Sequence, residues 1–500
     1  MALLIILLLL PIFLFIILQK YNTRKHALIR LPPGPRGLPL IGNLHQLDSS
    51  NPPHQFWKLS KQYGPLLFLR LGFIQTLIVS SAKMAKEVLK THDLQFCSRR
   101  AFLGQHTLSY NGLDLASAPY NECWRELRKL CVIHLFNLNR VLQFRPIRED
   151  EVSRMIEDIS KSAVSSEPVN LSEILMSLTG NIICRVGFGR RYSDEGGSKK
   201  SRCYDLIQKI QVVFSSFYFT DHFPFIGWVD KFTGKIHLLE KVFKELDMFY
   251  QELIDEHLDP NRPKTDDEDI LDVLLQIRKD HDIKFDLTWD HIKAVLMNVF
   301  IAGSDTSAVT VVWAMTYLMK NAEAMRKAQE EIRHVTGNKG FVDEDDIQRL
   351  PYVEAIVKET MRLQPTIPLL LPRETMEKCS IDGYEIPART RVYVNIWAIG
   401  RDPEVWDEPE RFDPDRFMGS SSSIDLKGQN FELIPFGAGR RICPGMSMGL
   451  ATVQLALANL LYKFDWEMPS GMKVEDLDFE MSPGITMHKK NALCLMPIAR

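Results

Sequence analysis

Residues 435–449, PFGAGRRICPGMSMG, carry the strongest structural signal in this sequence. Gly437 and Gly439 let the backbone turn tightly and approach a bulky partner. Cys443 follows them, and the dipeptide Pro444-Gly445 separates it from a segment with helical periodicity. The pattern therefore predicts a tight loop that presents one cysteine at the start of a helix.

Two features of this loop favour the thiolate form of Cys443. A cysteine at a helix N-terminus meets the positive end of the helix dipole, and Arg440 and Arg441 add cationic charge beside it. Both effects favour the thiolate over the thiol. A thiolate held in this way is either a nucleophile or a soft metal ligand.

The surroundings of Cys443 favour one kind of metal ligation. A nucleophile needs a histidine base, and no fixed spacing from Cys443 suggests one. A multi-cysteine metal site needs partners, and the nearest cysteines, Cys379 and Cys494, are isolated. One axial thiolate on haem needs a single cysteine, together with cationic donors for two propionates. A lone cysteine is usually a small buried hydrophobic residue. The haem-ligand interpretation therefore depends on the loop that surrounds Cys443.

Glu359 and Arg362 lie three residues apart in a segment with helical periodicity, residues 352–364. They share one helix face and can form an ion pair. Such a pair is ordinarily a solvated surface salt bridge. If it were buried and fully hydrogen-bonded, it would instead fix the scaffold around it.

Residues 288–319 form an unusually long helix-like run that is apolar nearly all round from 294 to 302. A polar patch, residues 303–307, then interrupts the run. A transmembrane span would place Asp305 in the middle of the bilayer, which is costly. We expect a core helix whose polar patch faces a cavity, with a kink that has no chemical role as the alternative.

The cysteine loop resembles the haem-binding signature of the cytochrome P450 superfamily, F-x-x-G-x-R-x-C-x-G. Four other stretches resemble motifs of that family in order and spacing. The matches are Phe436, Gly439, Arg441, Cys443 and Gly445 in the signature, Trp124 and Arg128 in W-x-x-x-R, residues 302–307 in the oxygen-activation motif, Glu359 and Arg362 in E-x-x-R, and residues 409–412 in the PERF element. The resemblance covers essentially the whole chain. The stretches at residues 31–44 and 435–445 are similar to those of plant A-type members of the 71 clan.

This resemblance implies a haem b cofactor and a role for each matching residue. Gly303 is expected to make room above the haem. The other implied roles are Cys443 as axial iron ligand, Arg128, Arg373, Arg441 and Trp124 as propionate partners, Phe436, Gly439, Gly445 and Ala302 as further cofactor contacts, Thr306 and Asp305 as oxygen-activating residues, and Glu359, Arg362 and Arg411 as a buried structural network.

The resemblance also implies the walls of a substrate pocket. The walls would come from residues 102–118, 214–225, 294–302, 366–371 and 483–486, with Phe102, Val299, Ile301, Ile367, Leu371 and Ile485 as named members. Most of these residues are apolar, which predicts a hydrophobic small molecule as substrate. Related plant enzymes hydroxylate terpenoids, alkaloids, phenolics and aldoximes, and the sequence does not choose among these classes.

The chain needs electrons from a partner, because it has no G-x-G-x-x-G after a strand and no flavin domain. The resemblance implies NADPH–cytochrome P450 reductase, with cytochrome b5 as a further candidate and no nucleic acid. Arg128, Lys129, Arg140 and Arg440 are candidates for a basic docking patch. Two other functions stay open: a haem-thiolate isomerase or dehydratase that uses no O2, and a non-catalytic haem- or ligand-binding membrane protein.

The first 18 residues, MALLIILLLLPIFLFIIL, have no charged side chain and are long enough to cross a thin bilayer. We expect residues 1–19 to be an uncleaved transmembrane anchor, because no small-residue cleavage site follows; a cleaved secretory signal is the alternative. Basic residues follow directly and place that flank in the cytosol. The predicted organisation is an endoplasmic reticulum anchor, a basic flank and proline-rich hinge at 20–44, and a cytosolic catalytic domain at 45–500.

The composition is that of a globular protein, with 45% hydrophobic and 25% charged residues among 500. The formal charge of −2 argues against a general nucleic-acid binder. Eight cysteines without a C-x-x-C pair argue against a disulfide-rich secreted scaffold and a zinc ribbon. Strand patterns at 66–71 and 76–80, and a hairpin pattern at 485–497, stand among mostly helical segments. We therefore predict a mainly α fold with small β-sheets in one large domain.

Overall fold

The structure is a computed structural model that describes residues 30–48, 50–191, 202–262, 268–280, 285–419, 423–482 and 484–500. The predicted anchor at residues 1–19 lies outside the described residues. The basic flank up to residue 29, and residue 483 of the predicted pocket wall, lie outside them as well.

Helices make up most of the described chain. They are α1 Pro52–Tyr63, α2 Ala82–Lys86, α3 Asp93–Phe96, α4 Leu103–Leu108, α5 Glu122–Leu130, α6 Leu138–Gln143, α7 Arg145–Ser165, α8 Leu171–Phe188, α9 Arg202–Ser215, α10 Phe219–His222, α11 Val229–Phe232, α12 Lys235–Leu258, α13 Ile270–Asp280, α14 Trp289–Lys320, α15 Ala322–Thr336, α16 Glu344–Ile347, α17 Pro351–Leu363, α18 Ile396–Ile399 and α19 Met446–Lys463.

The strands are short and form small sheets. They are β1 Leu66–Leu71, β2 Ile74–Val79, β3 Val169–Asn170, β4 Arg373–Glu374, β5 Cys379–Ile381, β6 Tyr384–Ile386, β7 Arg391–Val394, β8 Phe464–Glu467 and β9 Cys494–Ala499. The described strands pair in the orders β1-β2-β7-β4, β3-β9-β8 and β5-β6. The predicted mainly α fold with small β-sheets is confirmed.

The tight turns of these sheets follow from the residues that form them. β1 and β2 are antiparallel, with Leu71 opposite Ile74, and Gly72 between them has a φ of +64°. The Asp382-Gly383 turn joins β5 to β6 with φ values of +50° and +77°. Both residues take up left-handed conformations, which Gly and Asp tolerate well.

The predicted hairpin at residues 485–497 is wrong. Only β9 in this region is a strand, and it pairs with β3 and β8 instead of with its own preceding segment. The backbone N–H of Met487 donates to the carbonyl oxygen of Thr366 (2.9 Å), and Lys489 forms an isolated bridge with Met481. The segment before β9 therefore uses its hydrogen-bonding groups on other elements.

The long helix α14 runs through the core, as the sequence predicts. The Thr288 hydroxyl accepts a hydrogen bond from the His291 backbone N–H (3.3 Å) and caps the helix start. Helices α8 and α14 are long and apolar enough to cross a membrane, but 61% and 72% of their apolar windows are buried inside the protein. Their apolar character serves core packing.

The described part of the predicted hinge is docked on the first sheet. The backbone N–H of Phe68 donates to the Pro33 carbonyl oxygen (2.9 Å), and that of Asn43 donates to the Arg70 carbonyl oxygen (2.6 Å). A Cβ atom at Gly34 would lie 2.1 Å from the Phe68 carbonyl oxygen, so only glycine permits this approach. The prolines therefore enter the body along β1 in a fixed direction.

Candidate active site

The cysteine loop folds as a tight turn that precedes helix α19 and packs against helix α3. Gly439 has a φ of +69°, and a Cβ atom there would lie 2.2 Å from the Leu89 carbonyl oxygen. The Cys443 backbone N–H donates to the Phe436 carbonyl oxygen (3.0 Å), which closes the loop. Helix α19 then begins at Met446, with Gly445 as its N-cap. The loop thus presents Cys443 at a helix start, as predicted.

The electrostatics of Cys443 differ from the prediction. Burial raises the pKa of its thiol, whereas a hydrogen bond from the Gly445 N–H and the charge of Arg128 oppose that rise. Arg440 instead binds Asp93 at 3.1 Å, and Arg441 points to backbone carbonyls. The expectation that Arg440 and Arg441 stabilise the thiolate is therefore wrong. Coordination to a metal ion deprotonates a thiol outright and would supply the missing stabilisation.

Arg441 is buried beside Trp124. Its Nε donates to the Cys97 carbonyl oxygen and its Nη2 to the Ala118 carbonyl oxygen, both at 2.8 Å. Its guanidinium carbon lies 3.8 Å from the centroid of the Trp124 ring. Burial, reinforced by the charge of Arg373, lowers the pKa of Arg441 to about 9. Asp114 favours this cation from nearby, but no carboxylate of the described residues hydrogen-bonds it, so the cation is costly to keep buried.

The other predicted propionate partners lie around Arg441. Arg128 donates to the Ile442 carbonyl oxygen, one residue before the cysteine. The indole N–H of Trp124 donates to the Leu115 carbonyl oxygen (3.1 Å). Arg373 is held by Asp93 (2.7 Å), as well as by a backbone carbonyl, and so already has a carboxylate partner.

Arg99 joins this group although the sequence analysis missed it. Its Nη1 donates to the Ala116 carbonyl oxygen, and its buried Nε has no hydrogen-bond partner among the described residues. Burial, followed by the charges of Arg441 and Arg373, holds the pKa of Arg99 well below its usual value. No motif marks Arg99, because its place depends on how the segment before α4 returns to the cysteine loop.

The polar patch of α14 presents two different faces. Ala302 is exposed in the middle of an otherwise buried helix, and the Thr306 hydroxyl donates to its carbonyl oxygen (2.8 Å). Ala302 and Thr306 thus face open space inside the protein. Gly303 does not, because a Cβ atom there would lie 2.3 Å from Ile183 Cδ1 on α8. The expectation that Gly303 makes room above the haem is wrong; it makes room for helix packing.

Asp305 has a partner that the sequence analysis did not identify. Its carboxylate is buried, and Oδ1 lies 2.9 Å from Nε2 of His488, in the segment before β9. Burial opposes a charged imidazole, but the nearby Asp305 carboxylate outweighs burial and raises the pKa of His488. The two atoms lie at ion-pair distance without the alignment of a hydrogen bond, and neither has another hydrogen-bond partner among the described residues. A lone histidine near the C-terminus gives no sequence signal for this contact.

Several contacts connect the predicted pocket walls with one another or with residues beside them. Leu103 N donates to Asp221 Oδ1 (2.9 Å), Leu115 N and Ala116 N donate to Asn298 Oδ1 (2.9 and 3.1 Å), Met487 N donates to Thr366 O (2.9 Å), and His488 contacts Asp305. Residues 102–118 are thus joined to residues 214–225 and to residues 294–302 on α14. The last two contacts join residues 366–371 and α14 to Met487 and His488, which directly follow the predicted wall at 483–486. Sequence alone placed none of these partners.

The individual pocket residues fall into three groups. Ile301, Ile367, Leu371 and Ile485 are half-buried, as expected for a cavity wall. Val299 is 7% exposed and packs near Gly187 of α8, so in this structure it belongs to the core. The Phe102 ring lies under the Arg391 guanidinium, 4.0 Å from its carbon to the ring centroid, which fixes one side of the lining.

The family model named Cytochrome P450 matches residues 32–496 of the chain. This chain belongs to the cytochrome P450 family. A 5-OH-xanthotoxin synthase of Pastinaca sativa is 52% identical over 484 residues, which cover 95% of each protein. A 6,7,8-trihydroxycoumarin synthase of the same species is 50% identical over 503 residues, covering 97% of this chain and 98% of that protein. A solved zebra fish cytochrome P450 structure with progesterone is 27% identical, with a TM-score of 0.76, and covers 90% of this chain and 100% of that one.

These comparisons confirm the predicted family, the haem-thiolate cofactor and the monooxygenase activity. A P450 monooxygenase takes an organic substrate, O2 and electrons from a redox partner. The arginine group in this P450 suits that cofactor, because Arg99, Arg128 and Arg441 have carbonyl oxygens as their hydrogen-bond acceptors among the described residues. Buried guanidinium groups of this kind bind carboxylates well, and haem carries two.

The predicted Glu359 network exists in this P450, but with a different third member. Arg362 binds Glu359 through two hydrogen bonds (2.6 and 2.8 Å), and both side chains are fully buried. Arg416 Nε contacts Glu359 Oε1 at 3.1 Å. Arg411 is 63% exposed and pairs with Glu408, and only its backbone carbonyl oxygen accepts a bond from Arg362 (3.0 Å).

The assignment of Arg411 is therefore wrong, and Arg416 takes its place. The chain contains two similar tetrapeptides, residues 409–412 (PERF) and residues 414–417 (PDRF). The second forms a short helical turn that follows directly after Asp413, whose backbone N–H also donates to Glu359 Oε1 (2.8 Å). The second tetrapeptide is the signal that would have identified Arg416.

Proposed function

We propose that this P450 hydroxylates the aromatic ring of a coumarin or of a related flat phenolic metabolite. One observation carries this proposal: two relatives, at least 50% identical across almost their full length, are named for hydroxylated coumarin or furanocoumarin products. The half-buried pocket residues Ile301, Ile367 and Ile485 are apolar, which suits a planar hydrophobic ring.

The reaction consumes the substrate, O2, two electrons and two protons, and yields the hydroxylated product and water. When bound, haem supplies the chemistry that cleaves the O–O bond, and electron donation from a thiolate ligand favours that cleavage. In this proposal Cys443 provides the thiolate. Arg99, Arg128 and Arg441 would hold the propionates, with Trp124 packed against Arg441, and Arg373 would contribute through the same cluster.

Thr306 and Asp305 have different tasks in this mechanism. The Thr306 hydroxyl donates to the Ala302 carbonyl oxygen, so its lone pairs are free to accept a hydrogen bond from a water on the cavity side. It holds that water in place and excludes others. Asp305 is buried on the neighbouring face of α14 and passes protons toward the pocket.

Electrons come from NADPH–cytochrome P450 reductase in this proposal, with cytochrome b5 as a second candidate donor. Of the predicted docking residues, Lys129 and Arg440 are exposed, and Arg440 lies on the cysteine loop. Arg128 points inward to the Ile442 carbonyl oxygen. Arg140 and Arg440 both have acidic partners, Glu268 and Asp93, but the Arg440 side chain is 48% exposed and that of Arg140 only 17%. Lys129 and Arg440 are therefore the residues of that set best placed to meet an acidic partner.

We also propose an endoplasmic reticulum location, with residues 1–19 as anchor, 20–44 as flank and hinge, and 45–500 as the cytosolic catalytic domain. A cluster of exposed apolar side chains supports contact with lipid. It consists of Phe217, Phe225, Ile226, Trp228 and Phe232. Exposed apolar clusters of this size mark a membrane or protein contact.

A turnover screen tests the proposed activity. The full chain is produced in microsomes with a plant NADPH–cytochrome P450 reductase and supplied with 6,7-dihydroxycoumarin, xanthotoxin, a monoterpene and an indole alkaloid. We expect a product heavier by one oxygen from a coumarin, and only with NADPH. Hydroxylation of the terpene or alkaloid alone would contradict the coumarin assignment. Product formation without reductase would instead favour an isomerase or dehydratase.

A further inference from the structure

The contact between Asp305 and His488 joins a buried carboxylate on the oxygen side of the pocket to a partly exposed imidazole. The Asp305 side chain is 4% exposed, whereas the imidazole is 29% exposed, and 2.9 Å separates Oδ1 from Nε2. The imidazole is therefore partly accessible, whereas the carboxylate that it contacts is almost completely buried.

We propose that His488 is a positioning residue that holds Asp305 and supplies it with protons. The inference rests on the proton-passing role proposed for Asp305. In each transfer the Nε2–H bond of the imidazolium breaks and a bond from that proton to Asp305 Oδ1 forms. Asp305 releases a proton toward the pocket, and the imidazole regains one from solvent. No electrons move, and one proton enters for each one that leaves.

The backbone around His488 is fixed on both sides. The carbonyl oxygen of Met487 accepts a hydrogen bond from the Trp313 indole N–H (3.0 Å), and the Met487 N–H is bound to Thr366. The His488 carbonyl oxygen accepts from the Ser482 N–H (2.9 Å). Trp313 lies on α14, as Asp305 does, so the same helix sets the position of both partners. A fixed frame of this kind keeps the donor and acceptor at transfer distance.

The charges around His488 leave Asp305 as its ionic partner among the described residues. Its neighbours in sequence point elsewhere, because Lys489 pairs with Asp478 and Lys490 pairs with Glu480, at 2.8 and 2.6 Å. Asp305 is the charged group whose field favours the imidazolium. Proton supply thus depends on one imidazole, and we expect turnover to fall as pH rises through the pKa of His488.

A set of four variants tests the proposal: His488→Gln, Asp305→Asn, the double variant and His334→Gln. Glutamine can still hydrogen-bond Asp305 but carries no titrating proton, so it separates proton supply from support. His334 is exposed on α15 and serves as the matched control. Turnover, product per NADPH and their pH profiles are measured in the reconstituted holoenzyme with xanthotoxin and 6,7-dihydroxycoumarin.

The expected result is a roughly tenfold loss of turnover in His488→Gln, within the range of lost proton transfer. The pH profile of that variant flattens where that of the wild type falls. The double variant is no slower than Asp305→Asn, because both residues act in one path. Wild-type turnover and pH profile in His488→Gln would show that His488 only supports Asp305 and would overturn the proposal.

A second readout needs no substrate and no turnover. Mass spectrometry follows deuterium exchange at the imidazole C2 position of His488 across a pH series and yields its pKa. We expect a pKa above the ordinary value in the wild type, and one below that value in Asp305→Asn, where burial acts alone. An unshifted wild-type pKa would overturn the proposal. A wild type without coumarin product, but with the expected pKa, would contradict the proposed function alone.

Discussion

Two groups of buried or half-buried arginines in this P450 have different electrostatic surroundings. In the Glu359 network, Arg362 and Arg416 bind the same carboxylate, and backbone carbonyls accept the remaining guanidinium N–H groups. Around the cysteine loop, Arg99 and Arg441 are bound to backbone carbonyls alone among the described residues. In the first group the cations bind a carboxylate directly. In the second group no carboxylate of the described residues hydrogen-bonds Arg99 or Arg441, and Asp114 only favours their charge from nearby.

This difference separates a structural role from a binding role. A buried ion pair with all its hydrogen bonds made fixes the surrounding helices. Buried cations that lack a counter-charge are costly and are retained where a ligand supplies that charge. The same residue type therefore supports the scaffold in one region and prepares an anion site in the other.

The largest expected effect comes from breaking the complete network. Arg362→Ala leaves Glu359 buried with only Arg416 as a cationic partner, and loss of one member of a buried pair costs about 3–5 kcal/mol. We expect severe loss of folded holoenzyme, measured as the unfolding midpoint and as the yield of haem-loaded protein. A variant that unfolds at the wild-type midpoint would remove the structural role assigned to this network.

A matched pair of variants tests the corrected third member. Arg416→Ala loses a charged contact to Glu359 and should destabilise the protein by about 1–3 kcal/mol. Arg411→Ala keeps the backbone carbonyl that Arg362 uses and loses only an exposed side chain. Its change should stay within about 0.5 kcal/mol in denaturant unfolding. Equal losses in the two variants would count against the assignment of Arg416.

The smallest expected effect comes from replacing Arg99. The change should have opposite consequences for the stability of the apo-protein and for haem binding. Arg99→Met removes a half-buried cation whose buried Nε has no hydrogen-bond partner among the described residues, and should stabilise the apo-protein by about 1 kcal/mol. The same change should weaken haem binding about tenfold, because a propionate loses a charged partner. Arg100→Met is the control, since Arg100 is exposed and next in sequence. Unchanged haem affinity in a titration of Arg99→Met would contradict a propionate role.

The features that the sequence predicts well depend on residues close together in the chain. Glu359 and Arg362 are one helical turn apart, and the loop before Cys443 closes on itself through Phe436. Local spacing is enough for both. The apolar run of α14 likewise predicts a buried helix.

The features that the sequence misses depend on distant segments that meet in the fold. Arg411 and Arg416 lie in similar tetrapeptides, and only the path of the chain decides which one returns to Glu359. Arg99 and His488 belong to no motif. The charged groups near them, Arg373 and Arg441 for Arg99 and Asp305 for His488, are distant in the chain. Gly303 shows the same limit, because helical periodicity does not reveal which neighbour, here Ile183, packs on which face.

The central claim is that Cys443 supplies the sulfur that binds the haem iron. The most direct measurement is the absorption spectrum of the folded holoenzyme after reduction and treatment with carbon monoxide, beside that of Cys443→Ser. We predict the Soret band that is diagnostic of thiolate ligation in the wild type and its absence in the variant. A correctly folded, haem-loaded wild type without that band would contradict the account.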